Sequence, residues 1–217
     1  MAREILADPR IVYLSVFVIV VSITLHPIGL PVSVSSLTKQ AYDYVESLPS
    51  GTYVVTDFAV VSPVRVPMAI SLVNHLAAKR FKIVMLGTHA VDAAVLTDTL
   101  VISEVRWGDL KYGEDWIYLG YLPGYEAALT TFAKDPQHAY TTDYYGRPIK
   151  DYPIIKNMPD MKMMTGVILT PGAPVMYIRQ WAVAYGIKLV ACVDGGVPDT
   201  LPYVTAGYLV GLLAGLG

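Results

Sequence analysis

The chain reads as an α/β protein: a doubly wound, mostly parallel, five-stranded Rossmann-like sheet with an N-terminal transmembrane helix. Three observations predict this. From residue 53 onward short apolar runs rich in β-branched residues alternate with helical patterns, and Gly- and Pro-rich loops follow most of those runs. Ahead of them, Ile11 to Leu25 reads IVYLSVFVIVVSITL, with no Lys, Arg, Asp or Glu between Arg10 and Lys39.

That first stretch extends through His26-Pro27-Ile28-Gly29-Leu30 to about 20 apolar residues, the length needed to cross a bilayer core. No small-x-small cleavage site follows it, so residues 1–35 are expected to be a retained single-pass anchor in the cell membrane. Arg3 and Arg10 precede the span. The positive-inside rule therefore expects a cytoplasmic amino terminus and an extracytoplasmic domain over residues 36–217.

Ser35-Ser36 open an amphipathic helix with Leu37, Ala41, Tyr44, Val45 and Leu48 on one face, closed by Pro49-Ser50-Gly51. Tyr53 to Thr56 is a strand. Pro67 to Arg80 is a helix with Pro in its first turn, and Lys82 to Leu86 is the second strand. A helix starts near His89 and runs toward Val105. Trp116 to Leu119 is the third strand, and Gly124 to Lys134 is a helix burying Tyr125, Ala128, Leu129 and Phe132. Val167 to Thr170 and Lys188 to Cys192 are strands flanking a helix over Pro174 to Tyr185, which Gly186 stops. Parallel neighbours require crossovers, so helices should cover both faces of this sheet. The uncharged end, LPYVTAGYLVGLLAGLG, is expected to be a final helix with Gly207, Gly211 and Gly215 on one side, a stripe that admits a close neighbour.

Composition narrows the functions. Hydrophobic residues make up 54% and charged residues 16%, below the roughly 25% charge of an ordinary soluble domain, so apolar surface must be buried in a membrane or a partner. A net charge of −2 with scattered Lys and Arg gives no footprint for nucleic acid. The lone Cys192 excludes an intrachain disulfide and a Cys-rich zinc site.

Ligands of doubly wound sheets sit at the carboxyl ends of the strands, which makes the loops there the candidate crevice. Those loops place Asp57, Arg65, His89, Gly120, Gly124, Thr170, Gly172, Asp194 and Gly195 within it. The glycine spacing matches neither a P-loop nor a dinucleotide turn, and no cofactor is expected. Asp57, Asp194 and His89, with Asp199 nearby, offer an acid-base or metal reading, and Ser62, His89 and Asp57 a hydrolase triad that lacks the G-x-S-x-G elbow. Asp at such positions more often caps a helix or an Asx turn.

Residues 135–163 form the longest irregular stretch, a Tyr-rich insertion in which Tyr140, Tyr144, Tyr145, Arg147 and Tyr152 are the interface candidates. A loop folded against its own domain is the competing reading.

Pro27-Ile28-Gly29-Leu30-Pro31, the stretch from Gly120 to Ala128, Asp143-Tyr144-Tyr145-Gly146 with Pro148, and the segment from Pro202-Tyr203 to Leu216 together resemble a family of uncharacterised prokaryotic single-span membrane-anchored α/β proteins. The resemblance covers most of residues 25–217 and implies an anchor and an α/β body, with no reaction and no catalytic residue to carry over. The expected function is an oligomeric structural or assembly subunit of the cell envelope, associating with itself or with partner membrane subunits. The alternatives are a membrane-tethered small-ligand-binding module, which a crevice plugged by Phe58 and Tyr121 would exclude, and a hydrolase or metal-dependent enzyme.

Overall fold

The computed structural model describes residues 9–25, 34–60 and 62–214. The chain divides into two compact units, Met1–Val34 and Ser35–Gly217. The first is represented by helix α1, Pro9–Leu25, whose 17 residues include no buried one. At roughly 1.5 Å per residue it is about 25 Å long, short of the ~30 Å bilayer core. Among the described residues no helix is long and apolar enough to cross a membrane. The expected continuation through residues 26–30 lies outside the described residues, as does Gly215.

The second unit is an α/β body around a six-stranded parallel sheet in the order β3-β2-β1-β4-β5-β6. Its elements are α2 (Ser36–Ser47), β1 (Tyr53–Phe58), α3 (Val66–Ala78), β2 (Lys82–Gly87), α4 (Val91–Leu96), β3 (Trp116–Tyr121), α5 (Glu126–Lys134), α6 (Pro153–Lys156), β4 (Thr165–Thr170), α7 (Val175–Tyr177), β5 (Lys188–Val193), α8 (Val197–Thr205) and β6 (Leu209–Ala214). Ser35 caps α2 by accepting a bond from the Thr38 amide at 3.1 Å. Two helices run on through wide π turns, α4 through Thr97–Val101 and α7 through Ile178–Val183.

Alternation along the strands divides the core into two layers, because successive side chains point to opposite faces. Val54, Ile83, Met85, Val167 and Cys192 join Ala41 and Val45 of α2 and Ala69, Val73 and Leu76 of α3 on one face. Val55, Val84, Ile117, Ile168 and Ala191 meet Leu129, Phe132, Tyr177 and Trp181 on the other. Crossover helices after β1 and β2 thus lie on one side, and those after β3 and β4 on the other, which is the doubly wound arrangement expected from the alternating pattern.

Two expectations are corrected. The sheet has six strands rather than five, and the sixth arises from the segment read as a glycine-striped helix. Helix α8 ends at Thr205, Gly207 takes φ +79°, and the chain then extends as β6 beside β5. A run of Leu and Gly without polar residues carries no period that separates strand from helix. The close approach predicted from the small residues is nevertheless present: a Cβ on Gly211 would stand 2.5 Å from the Ala41 Cα, so α2 packs directly on the β6 backbone. Tyr125 is likewise not on a buried stripe; the residue is 51% exposed.

Gly211→Ala is therefore expected to force α2 away from β6 and lower unfolding stability by about 1 to 3 kcal/mol, as overpacking does. Urea denaturation would read this as a lower midpoint at unchanged slope.

Candidate functional site

In this strand order the chain reverses direction of winding between β1 and β4, and the crevice opens above their carboxyl ends. Polar side chains from both halves of the sheet meet there. Asp57, the penultimate residue of β1, has no solvent exposure. Its Oδ2 accepts the Thr88 hydroxyl proton at 2.5 Å, and its Oδ1 accepts the Thr88 amide at 3.3 Å. Thr88 follows β2, so these bonds tie neighbouring strand ends together. Burial pushes the Asp57 carboxyl up to about 6, against the pull of its bonds from Thr88 and of the nearby Tyr177 hydroxyl.

Tyr177, fully buried in α7, directs its hydroxyl into the same space and lies 3.3 Å from His89 Nδ1. The two rings are nearly parallel, with centroids 6.3 Å apart. Burial and the neighbouring Asp57 charge raise the phenol well above its ordinary value. His89 is half-buried, and burial together with the Arg65 charge lowers its pKa. The exposed Tyr125 ring stands edge-on to His89 at 5.1 Å. Tyr125 has φ 55° and ψ −109°, a conformation that L residues rarely take, so the start of α5 is held under backbone strain.

Arg65 crosses the crevice. Its Nε and Nη2 both donate to Asp194 Oδ2, at 2.7 and 2.6 Å, and its Nη1 donates to the Ala59 carbonyl at 2.9 Å. The loop after β1 is thereby fastened to the loop after β5. The Ala59 amide adds a 2.8 Å bond to the Leu169 carbonyl of β4.

Of the residues expected in the crevice, Asp57, Arg65, His89 and Asp194 form this cluster. Thr170 is buried at the end of β4 without a role in it. The face of Gly120 is covered by Tyr144, and its carbonyl accepts the Tyr140 hydroxyl at 3.1 Å. Gly124 takes φ +115°, which permits the turn into Tyr125. A Cβ on Gly172 would meet nothing within 4 Å, whereas one on Gly195 would stand 3.5 Å from the Pro171 carbonyl, so the loops after β4 and β5 touch. Asp199 is exposed and outside the cluster. Phe58 is buried in the core, and Tyr121 is partly buried at the rim. At the end of β3 lies a hollow of about 230 Å³ lined by Val91, Gly120, Tyr121, Tyr140 and Tyr144, and by none of the cluster residues. Among the described residues no three His, Cys, Asp or Glu side chains are placed to hold a metal ion.

The Tyr-rich insertion is folded against its own domain. Ile149, Ile154, Ile155, Met158 and Met161 enter the core, and the Tyr144 amide bonds the Tyr118 carbonyl along the edge of β3. Buried Asp143 accepts bonds from the Tyr112 hydroxyl and from the Tyr145 and Arg147 amides. Tyr152 packs on Gly113. Tyr145 and Arg147 stay exposed, with the guanidinium 5.1 Å from the Tyr145 ring.

Thr88 and Tyr177 were not singled out by the sequence. Thr88 had a faint signal as the residue between a strand-ending glycine and His89; Tyr177 sits in an apolar helical pattern that reads as core. Comparison with protein-family models, curated proteins and solved structures returned no match, so the site is interpreted from its own geometry.

The Asp57 carboxyl binds its proton more tightly in the folded chain than in the unfolded one, where it titrates near 3.8. Stability associated with the protonated form is thus complete below about pH 4 and is lost as pH rises through about 6, by at most roughly 3 kcal/mol. Asp57→Asn keeps the shape and removes this loss. Denaturation at a series of pH values should show the variant gaining on the parent chain between about pH 4 and pH 7; a constant difference would refute the assignment.

Proposed function

We propose that this chain is a membrane-associated small-ligand-binding protein whose α/β body holds a polar ligand at the crevice between β1 and β4. The observation that carries the reading is the convergence of Asp57, Thr88, His89, Tyr177, Arg65 and Asp194, drawn from the loops and helices after β1, β2, β4 and β5, on the position where doubly wound sheets bind ligands.

Membrane association is supported by α1, whose apolar side chains from Val12 to Leu25 are largely exposed and carry no charge. Such a surface requires a covering. Arg3 and Arg10 support an amino terminus on the cytoplasmic side and a body outside. A second reading, an envelope assembly subunit that associates with copies of itself or partner membrane subunits, is favoured by the exposed Tyr145 and Arg147, a residue pair common at protein interfaces. Tyr140, Tyr144 and Tyr152 are partly buried and Gly211 is buried, which removes part of the surface that this reading would use.

Two measurements test the proposal. After carbonate extraction of expressing cells, the full chain is expected in the membrane pellet, and recovery in the supernatant would contradict the attachment. A thermal-shift screen of small polar metabolites should yield at least one stabilising compound whose effect falls tenfold or more in His89→Gln; stabilisation indifferent to that change would place binding elsewhere.

A further inference from the structure

The hollow at the end of β3 is lined by three tyrosines, by aliphatic side chains and by one buried carboxylate. Tyr121, Tyr140 and Tyr144 supply the aromatic part, and Val91 and Val95 of α4 add apolar surface that is 58% and 44% exposed. Asp143 is the one charged residue in the lining; no Lys, Arg or His takes part in it.

We propose that this hollow binds a compact quaternary ammonium group, with Tyr121, Tyr140 and Tyr144 against the cation and Asp143 as its counter-charge. The site is separate from the crevice between β1 and β4 and does not depend on that crevice holding a ligand.

Asp143 calls for a cation. It is 4% exposed, and its hydrogen-bond donors are neutral groups: the Tyr112 hydroxyl at 2.9 Å and the Tyr145 and Arg147 amides at 3.0 and 2.8 Å. Among the described residues it forms no ion pair, and a carboxylate withdrawn from water gains from an opposite charge. Arg147 is the neighbouring cation, yet it gives Asp143 only its amide proton. Its guanidinium carbon lies 5.1 Å from the Tyr145 ring centroid and 5.8 Å from that of Tyr112. The same segment thus already holds one cation on tyrosine rings, a contact that the ring quadrupole favours.

Hydrogen bonding in the lining selects the class of ammonium. The Tyr140 hydroxyl donates to the Gly120 carbonyl at 3.1 Å, and the Asp143 oxygens already accept from their neighbours. An ammonium rich in N–H groups would find most acceptors taken. A methylated one brings no donors, and its methyl groups suit valine side chains and aromatic rings. The volume of about 230 Å³ lies below the roughly 300 to 1,000 Å³ of sites for drug-sized ligands, so a small head group fits. The walls are set in advance. Tyr144 bonds the Tyr118 carbonyl through its amide, its ring centroid is 4.9 Å from that of Tyr118, and it closes over Gly120, where a Cβ would stand 3.0 Å from the Tyr144 ring. Fixed walls reduce what binding must spend on ordering.

Isothermal titration of the full-length chain in maltoside detergent with choline, its uncharged isostere 3,3-dimethylbutan-1-ol, and ethanolamine tests this. Choline is expected to bind about tenfold or more tightly than either comparison compound. Equal affinity for the isostere overturns the cation assignment, equal affinity for ethanolamine overturns the choice of a methylated ammonium, and no binding of choline at tens of millimolar overturns the site. Tyr121→Leu should weaken choline about tenfold, and Tyr121→Phe, which keeps a ring, should restore it. Asp143→Asn retains an oxygen for the two amides and should also weaken choline about tenfold while leaving the isostere unchanged. Unchanged choline affinity in Tyr121→Leu or in folded Asp143→Asn overturns the proposal; should Asp143→Asn fail to fold, the Tyr121 pair decides. His89→Gln is expected to bind choline as the parent chain does, and loss of binding there would assign the cation to the crevice and overturn a separate site.

Discussion

One guanidinium spans the reversal of winding on which the body is organised. The loops after β1 and β5 belong to different halves of the sheet, and each could fold back on its own half. Arg65 bonds a backbone carbonyl of the first and the carboxylate of the second. Its side chain is 10% exposed and that of Asp194 26%, so both ions give up much of their hydration to meet. A pair of this kind adds little net stability but strongly penalises the separated state, because either partner left alone is a poorly solvated charge. The contact therefore fixes geometry, holding the crevice mouth at one width.

Behind that contact the polar cluster is built in depth. Asp57 is buried with its Thr88 bonds made, and Tyr177 is buried beside it; His89 and Tyr125 stand at the rim. Groups with no access to solvent orient those that have it. Neutral His89 and a carboxyl that titrates near 6 place the crevice's protonation changes on the acidic side of neutrality. The strained Tyr125 backbone holds an aromatic ring over the opening at an energetic cost of about 1 to 3 kcal/mol.

Much of this architecture was legible in the sequence, and the exceptions have physical reasons. Strands β1, β2, β4 and β5 are apolar runs buried on both faces, and their helices carry clear caps or periodicity, as Ser35 and Gly186 illustrate. Strand β6 was hidden because Leu, Gly and Ala at its positions fit either period; only the packing of Ala41 against Gly211 decides the matter. Four members of the cluster could be named from their places after strands. Tyr177 could not, since 88 residues separate it from His89 and its surroundings are apolar. The Tyr-rich insertion misled in the other direction. Its aromatic residues resemble an interface, yet Tyr144 and Tyr140 bond carbonyls on the edge of β3, which would otherwise expose unpaired backbone groups.

The π turn that follows Tyr177 inserts one residue into a helical repeat. In an unbroken α-helix each residue advances by about 100°, so removing that extra position would rotate everything downstream by the same amount. Tyr177 and Trp181 are four apart and both fully buried, one reaching the polar cluster and the other bonding the Leu129 carbonyl of α5. The widened turn thus works as a phase adjuster, setting the direction in which the residues beyond it leave this short helix.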